Sequence, residues 1–227
     1  MNQVYLDTAR LLTQVAPLVL EGDIFALKGG TAINLFVRDM PRLSVDLDLV
    51  FVDYRPDRDE ALARINEAIR SAVERLKKRG FQTHAATAAD AGETKLFVRR
   101  DKLELKVEVN FVLRGTVHPV RSISLTPKAK ETLLADVELP IVALEDLYGG
   151  KLVAALDRQH PRDLFDVMQL FLHEGISTRF AAESRLGVNL EFRSMTRRAT
   201  CSTRPFAKSA ATSSAQPSES RQRKSVS

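Results

Sequence analysis

The chain has 227 residues, 44% hydrophobic and 28% charged, enough apolar material to bury the core of an ordinary domain. Its apolar runs are far shorter than the roughly 20 residues of a bilayer span, and the N-terminal MNQVYLDTARLLTQV lacks the features of a secretory leader, so a cytoplasmic protein without membrane contact is expected. The net charge of +5 is uneven: residues 179–227 hold ten Lys/Arg against three Asp/Glu (+7), leaving 24 basic and 26 acidic residues (−2) in the body, so the excess basicity belongs to the tail.

Residues 4 to 20 carry apolar groups at helical spacing, and DIFALKG follows as a short buried strand ending in glycine. TAINLFVRD reads as a helix closed by Pro41, and SVDLDLVFV as a strand with apolar groups at alternate positions. Residues 57 to 79 are expected to form a long helix: Asp57 and Glu60 open it in a capping pattern, Leu62, Ile65, Ile69, Val73 and Leu76 supply one apolar stripe, and Gly80 stops it. FQTHAA, KLFVRR and LELKVEVNFVL then read as strands, the last two joined by a turn at Asp101 and Lys102. After an irregular stretch with Pro119, Pro127 and Pro140 come two helical patterns, LEDLYGGKLVAALDR and PRDLFDVMQLFLHEG, with Pro161 where the first turn of a helix tolerates it. Ten of the fifteen serines lie beyond residue 178, in a stretch with no sustained apolar period, which reads as a disordered tail or as the product of a frame change that replaced a helical C-terminus.

Cys201 is the single cysteine, and His84, His118, His160 and His173 show no paired ligand spacing, so neither zinc nor thiol chemistry is expected. The chemistry points instead to carboxylates. Side chains alternate faces along a strand, so Ser44, Asp46 and Asp48 share one face and Val45, Leu47 and Leu49 the other, with the two carboxylates about 7 Å apart along the chain. Two bare carboxylates at that distance repel each other, and a hard divalent cation, Mg²⁺ or Mn²⁺, would relieve the conflict while binding substrate phosphates. A solvent-facing strand edge would carry the same pattern. Lys106, Glu108 and Asn110 repeat the alternation, and if their strand lies beside the first, Glu108 becomes a third carboxylate; the alternative is a surface ion pair with Lys106. Gly29 and Gly30, with Thr31, stand at a strand end immediately before a helix, where free backbone N–H groups favour phosphate.

The run GGTAINLFV…RLSVDLDLVF resembles the glycine motif and Asp-x-Asp of minimal nucleotidyltransferases of the polymerase-β superfamily. More narrowly, together with LEDLYGGKLVAALDR…PRDLFDV, it resembles the AbiEii-type nucleotidyltransferase toxins of type IV toxin–antitoxin systems, over roughly residues 10 to 175. The resemblance implies an α+β fold, a mixed sheet flanked by helices, with residues 1–135 as the nucleotidyltransferase core, 136–178 as a helical segment and 179–227 as the tail. It implies that Gly29 and Gly30 meet nucleotide phosphate with Thr31 assisting, that Ser44 occupies the motif's serine as a phosphate contact or as a hydrogen bond to the turn, that Asp46 and Asp48 hold the metal, joined by Glu108 if its strand lies beside theirs, and that Lys151 reaches the triphosphate. The family's late aspartate corresponds to one of Asp163 and Asp166, three apart on one helical face, with stabilisation of the helix N-terminus as the alternative for Asp163; Arg158 and Arg162 flank the start as candidate phosphate contacts or as a solvated pair. The expected reaction transfers a nucleotide from a nucleoside triphosphate to an RNA such as tRNA, or to a protein. Its expected outcome is growth arrest or phage defence, relieved by a cognate antitoxin that forms no stable complex with the toxin. Two other readings of the same residues are a glycosyltransferase using Asp-x-Asp and a non-enzymatic RNA-binding protein with a basic tail.

Overall fold

A computed structural model describes residues 3–88, 93–110 and 114–173; the predicted tail, with Cys201, lies outside these residues. In chain order the elements are α1 (Gln3–Val19), β1 (Phe25–Lys28), α2 (Gly29–Thr31) running on as a π-helical stretch (Ala32–Val37), β2 (Leu47–Phe51), α3 (Arg58–Lys78), β3 (Gln82–Ala88), β4 (Glu93–Arg100), β5 (Leu103–Asn110), β6 (Arg121–Ser124), α4 (Pro127–Leu133), β7 (Glu138–Ile141), α5 (Leu144–Arg158) and α6 (Pro161–His173). Seven strands form one sheet in the order β3-β4-β5-β2-β1-β7-β6. The β2/β5 and β1/β7 pairs are parallel and the others antiparallel, so the expected α+β architecture with a mixed sheet holds.

Helix α3 shows how local signals set an element. The Asp57 side chain accepts the Glu60 N–H at 2.9 Å, satisfying one of the donors that a helix start leaves open. At the other end Gly80 takes a left-handed φ of +81°. Its N–H reaches the Lys77 carbonyl at 2.9 Å and the Phe81 N–H reaches that of Leu76 at 3.1 Å, the paired bonds of a Schellman stop. Between these ends Ile65, Ile69 and Leu76 are buried and Leu62 and Val73 partly so, which lays the predicted stripe into the core. α1 packs on α3, α1 meets β5, and α3 meets β3. Their core is closed from the sheet side by Leu105, Val107 and Val109 of β5 and Leu47 and Leu49 of β2, all buried.

Four expectations are corrected. The strand expected from Ser44 begins at Leu47, which leaves Ser44 and Asp46 in the segment that leads into β2; Thr31 donates its hydroxyl to the Asp46 carbonyl at 2.5 Å and holds that segment outside the ladder. The helix expected from Thr31 starts at Gly29 and widens into π geometry, with the Arg38 N–H bonded to the Ile33 carbonyl at 2.7 Å. The irregular stretch supplies β6, α4 and β7. Within the segment expected to be helical, β7 is an inner strand of the sheet, between β1 and β6, although Pro140 has no N–H to donate.

Candidate active site

The sheet register builds the site. Lys28 of β1 lies opposite Asp48 of β2, Asp48 opposite Glu108 of β5, and Glu108 opposite Lys95 of β4, so four charged residues of alternating pairs cross one face in a row. That face is set by the apolar residues: Leu47 and Leu49 go into the core, and Asp48 between them goes out. Asp48 is largely withdrawn from water, and its pKa is raised to about 6. Burial is the main cause; Asp46 and Glu108 push it further, while Lys28 and Lys151 pull it back. The structure therefore places Asp46, Asp48 and Glu108 within one electrostatic neighbourhood, as the sequence suggested.

The glycine turn fits against this row. Gly29 has φ of +77°, which a residue with a side chain rarely adopts, and a Cβ there would collide with the Asp48 carboxylate. A Cβ on Gly30 would lie 2.7 Å from the Arg42 guanidinium and 3.0 Å from Ser44 Oγ. Both glycines are thus required by close approach. Thr31 is buried, and its hydroxyl lies between Ser44 Oγ at 3.2 Å and the Asp46 carbonyl at 2.5 Å; it fixes the turn, and Ser44 Oγ shares that contact while lying beside Gly30.

A second cluster stands behind the first. Asp166 on α6 is fully buried. Arg42 binds it through two nitrogens at 2.9 and 2.5 Å, Asn34 donates to it at 3.1 Å, and Lys151 Nζ lies 3.2 Å away. Asn34 also donates to the Gly30 carbonyl at 2.8 Å, so one amide joins the glycine turn to α6. Lys151, itself buried, holds Asp163 at 2.9 Å, and Asp163 receives a second grip from Arg158 at 2.6 and 3.1 Å. Burial opposes the charge on Asp163, but Arg158 and Lys151 together keep its carboxyl below the ordinary range. The ammonium group of Lys151 thus stands among carboxylates on one side and within electrostatic range of Asp48 on the other. Arg162 is exposed, and its backbone N–H bonds His160 Nδ1 at 3.2 Å.

The donor set suits a hard divalent cation through Asp46 and Asp48: both are oxygen donors, and Asp48 carries a carboxylate whose charge the protein leaves poorly compensated. Among the described residues no three His, Cys, Asp or Glu side chains converge as a group that could hold a metal ion. Glu108 is engaged by Lys106 at 2.9 Å and by Lys95 at 3.5 Å, which is the ion-pair alternative, and it joins no group of three metal-ligating side chains among the described residues.

Three residues went unrecognised in the sequence. Lys28 has a weak signal, standing directly before the glycine pair; Asn34 and Arg42 have none, because their partner Asp166 is more than a hundred residues away.

The sequence from residue 10 to residue 218 matches the family model of the nucleotidyl transferase AbiEii toxin of type IV toxin–antitoxin systems. The match extends past residue 175 into the tail. A search of curated proteins gave no match. Among solved structures the chain is similar to MenT4, a nucleotidyltransferase toxin of Mycobacterium tuberculosis, with a TM-score of 0.52 and 22% identity, over 74% of this chain and 60% of that one. This chain thus spans less than two thirds of the length of its structural neighbour, and the likeness establishes the fold. Fold and site define a nucleotidyltransferase-type scaffold. The chain belongs to the AbiEii nucleotidyltransferase toxin family, which sets aside the glycosyltransferase reading. No described helix is long and apolar enough to cross a membrane.

Two outcomes follow from this geometry. A carboxyl raised from 3.8 to about 6 stays protonated in the fold while the unfolded chain ionises, so it lowers stability increasingly as pH rises through that window. Asp48→Asn should therefore stabilise the metal-free protein at pH 7.5, by on the order of 1–3 kcal/mol, with the advantage shrinking towards pH 4; chemical denaturation at both pH values measures it, and equal stability at pH 7.5 would contradict the assignment. Asp166→Ala leaves Arg42 and Lys151 without their buried partner and should lower stability by about 3–5 kcal/mol, whereas a loss below about 1 kcal/mol would show that the cluster holds little.

Proposed function

We propose that the protein is a metal-dependent nucleotidyltransferase acting as the toxin of a type IV toxin–antitoxin pair. An acceptor hydroxyl attacks the α-phosphate of a nucleoside triphosphate, the bond from that phosphorus to the bridging oxygen breaks, and pyrophosphate leaves. The observation that carries this reading is Asp48: a carboxylate withdrawn from water, pushed towards its protonated form, and pressed against a glycine whose Cβ would displace it.

In this reading Asp46 and Asp48 hold Mg²⁺ or Mn²⁺, which would supply charge stabilisation to the phosphoryl oxygens. Gly29 and Gly30 let the triphosphate approach the backbone, where a side chain would exclude it. Ser44, beside Gly30, offers a hydroxyl to the same phosphates, and Thr31 keeps Ser44 and Asp46 in place through its two contacts. Lys151 adds positive charge on the other side of Asp48, and Asp163 and Asp166 hold its ammonium group in one orientation. Asp166, saturated by Arg42, Asn34 and Lys151, serves the nucleotide through Lys151. Glu108 takes the proton from the acceptor hydroxyl, released from Lys106 as the substrate's charge arrives. Phosphoryl chemistry asks mainly for position and charge, and these residues provide both.

The acceptor in this proposal is an RNA, and the cognate antitoxin acts without forming a stable complex. Incubation with each of the four α-labelled ribonucleoside triphosphates, Mg²⁺ and total cellular RNA tests it. Labelled RNA is expected from one or more donors, and the Asp46→Ala/Asp48→Ala variant should fall by about a thousandfold or more, because the lost charge stabilisation amounts to several kcal/mol. Transfer that persists in the double variant would refute the metal assignment.

A further inference from the structure

Beside the carboxylate row, the β3–β4–β5 half of the sheet presents a face whose residues are half-buried or exposed: Gln82, His84 and Ala86 on β3, Lys95, Phe97 and Arg99 on β4, Glu104, Lys106 and Glu108 on β5. The opposite face of β5, with Leu105, Val107 and Val109, is spent on the core, so this one is left to the solvent side. The register sets His84, Phe97 and Lys106 in one row across three strands, and Ala86, Lys95, Glu108 and Asp48 in the next. Rows of side chains on one face repeat at about 7 Å, twice the rise per strand residue. The row with the two rings is therefore the immediate neighbour of the row with the reactive carboxylate.

The chemistry of this face is specific. The rings of His84 and Phe97 lie 6.5 Å apart, inclined by 26°, and form a two-ring platform. Next to it stand Lys106 and Lys95, whose ammonium groups lie 2.9 and 3.5 Å from Glu108; a phosphate arriving at these ammonium groups draws them from the carboxylate, which is then released to act as the base. Arg99 is matched by Glu104. Flat rings flanked by cations fit a nucleobase and its neighbouring phosphates. A protein partner would ask for a larger desolvated apolar centre than two rings among charges provide.

We propose that this face docks the unpaired end of an RNA strand, with a base stacked on His84 and Phe97 and the adjoining phosphates on Lys95 and Lys106, so that the terminal hydroxyl is delivered to Asp48. The proposal rests on the nucleotidyl-transfer reading and adds the surface that presents the acceptor. It separates this function from the basic tail, which attracts any nucleic acid by charge. The platform takes only an unpaired base, because stacking needs a free ring face.

Fluorescence anisotropy on the full chain, with a labelled single-stranded RNA of 12 nucleotides and the corresponding duplex, tests this. His84→Gln/Phe97→Leu keeps side-chain bulk and removes both rings; it should weaken single-strand binding roughly tenfold or more and leave duplex binding unchanged. His84→Phe, which keeps a ring, should bind the single strand as wild type does. Lys95→Ala/Lys106→Ala should reduce the salt slope of single-strand binding by about 1.4, the share of two phosphate contacts. Calorimetric binding of a triphosphate with Mg²⁺, measured on the same proteins, keeps the two readings apart: its failure in wild type sinks nucleotidyl transfer, and it should survive loss of the rings. Single-strand affinity that is unchanged without the rings, or that falls equally for single strand and duplex, overturns the docking surface.

Discussion

The site depends on a carboxylate that has no access to water. Asp166 is fully buried, and a bare charge there would be far too costly to keep. Arg42 answers it with two nitrogens, Asn34 with its amide and Lys151 with its ammonium group. Each partner comes from a different stretch of the chain: the segment entering β2, the π-helical turn after the glycine pair, and α5. Because each of the three partners contributes to satisfying the same buried charge, the four residues form one coupled network. The glycine turn, the approach to the Asp-x-Asp strand and the two last described helices are thereby fixed to one another, and the proposed phosphate side of the site inherits that geometry.

The proposed metal side follows from the sheet. Parallel pairing of β2 with β5 and antiparallel pairing of β1 with β2 and β4 with β5 put Lys28, Asp48, Glu108 and Lys95 abreast. Opposite charges alternate with like charges in that row, so it is balanced at its ends and strained at its centre, where Asp48 and Glu108 adjoin. The raised pKa of Asp48 comes first from burial, and Asp46 and then Glu108 add to it. A cation bound by Asp46 and Asp48 would complete the balance, which is why the same residues that weaken the empty fold suit a charged, phosphate-bearing substrate.

Much of this was legible in the sequence where the determinants are local. Asp57 and Gly80 mark the ends of α3 because a cap and a left-handed stop are decided within a few residues. The two-residue turn at Asp101 and Lys102, with Asp101 at φ of +55°, places the β4/β5 hairpin for the same reason. The Asp-x-Asp pattern gave the face of Asp48, although Asp46 lies ahead of the strand because Thr31 holds its carbonyl. β6 and β7, four residues each and one with a proline, are too short for alternation to show. The roles of Arg42 and Asn34 were hidden because each depends on Asp166, and no local pattern reports a partner 124 or 132 residues away. The stacked pair of His84 and Phe97 was hidden in the same way, since only the pairing of β3 with β4 brings the rings together.

The central claim is that the glycine turn and the aspartates form one seat for a metal-bound triphosphate. Calorimetric titration with a non-hydrolysable nucleoside triphosphate, with and without Mn²⁺, in wild type and Asp48→Ala, tests it most directly. The account predicts binding that requires the metal and is lost in the variant. Equal binding in the absence of metal, or binding undiminished by Asp48→Ala, would contradict it.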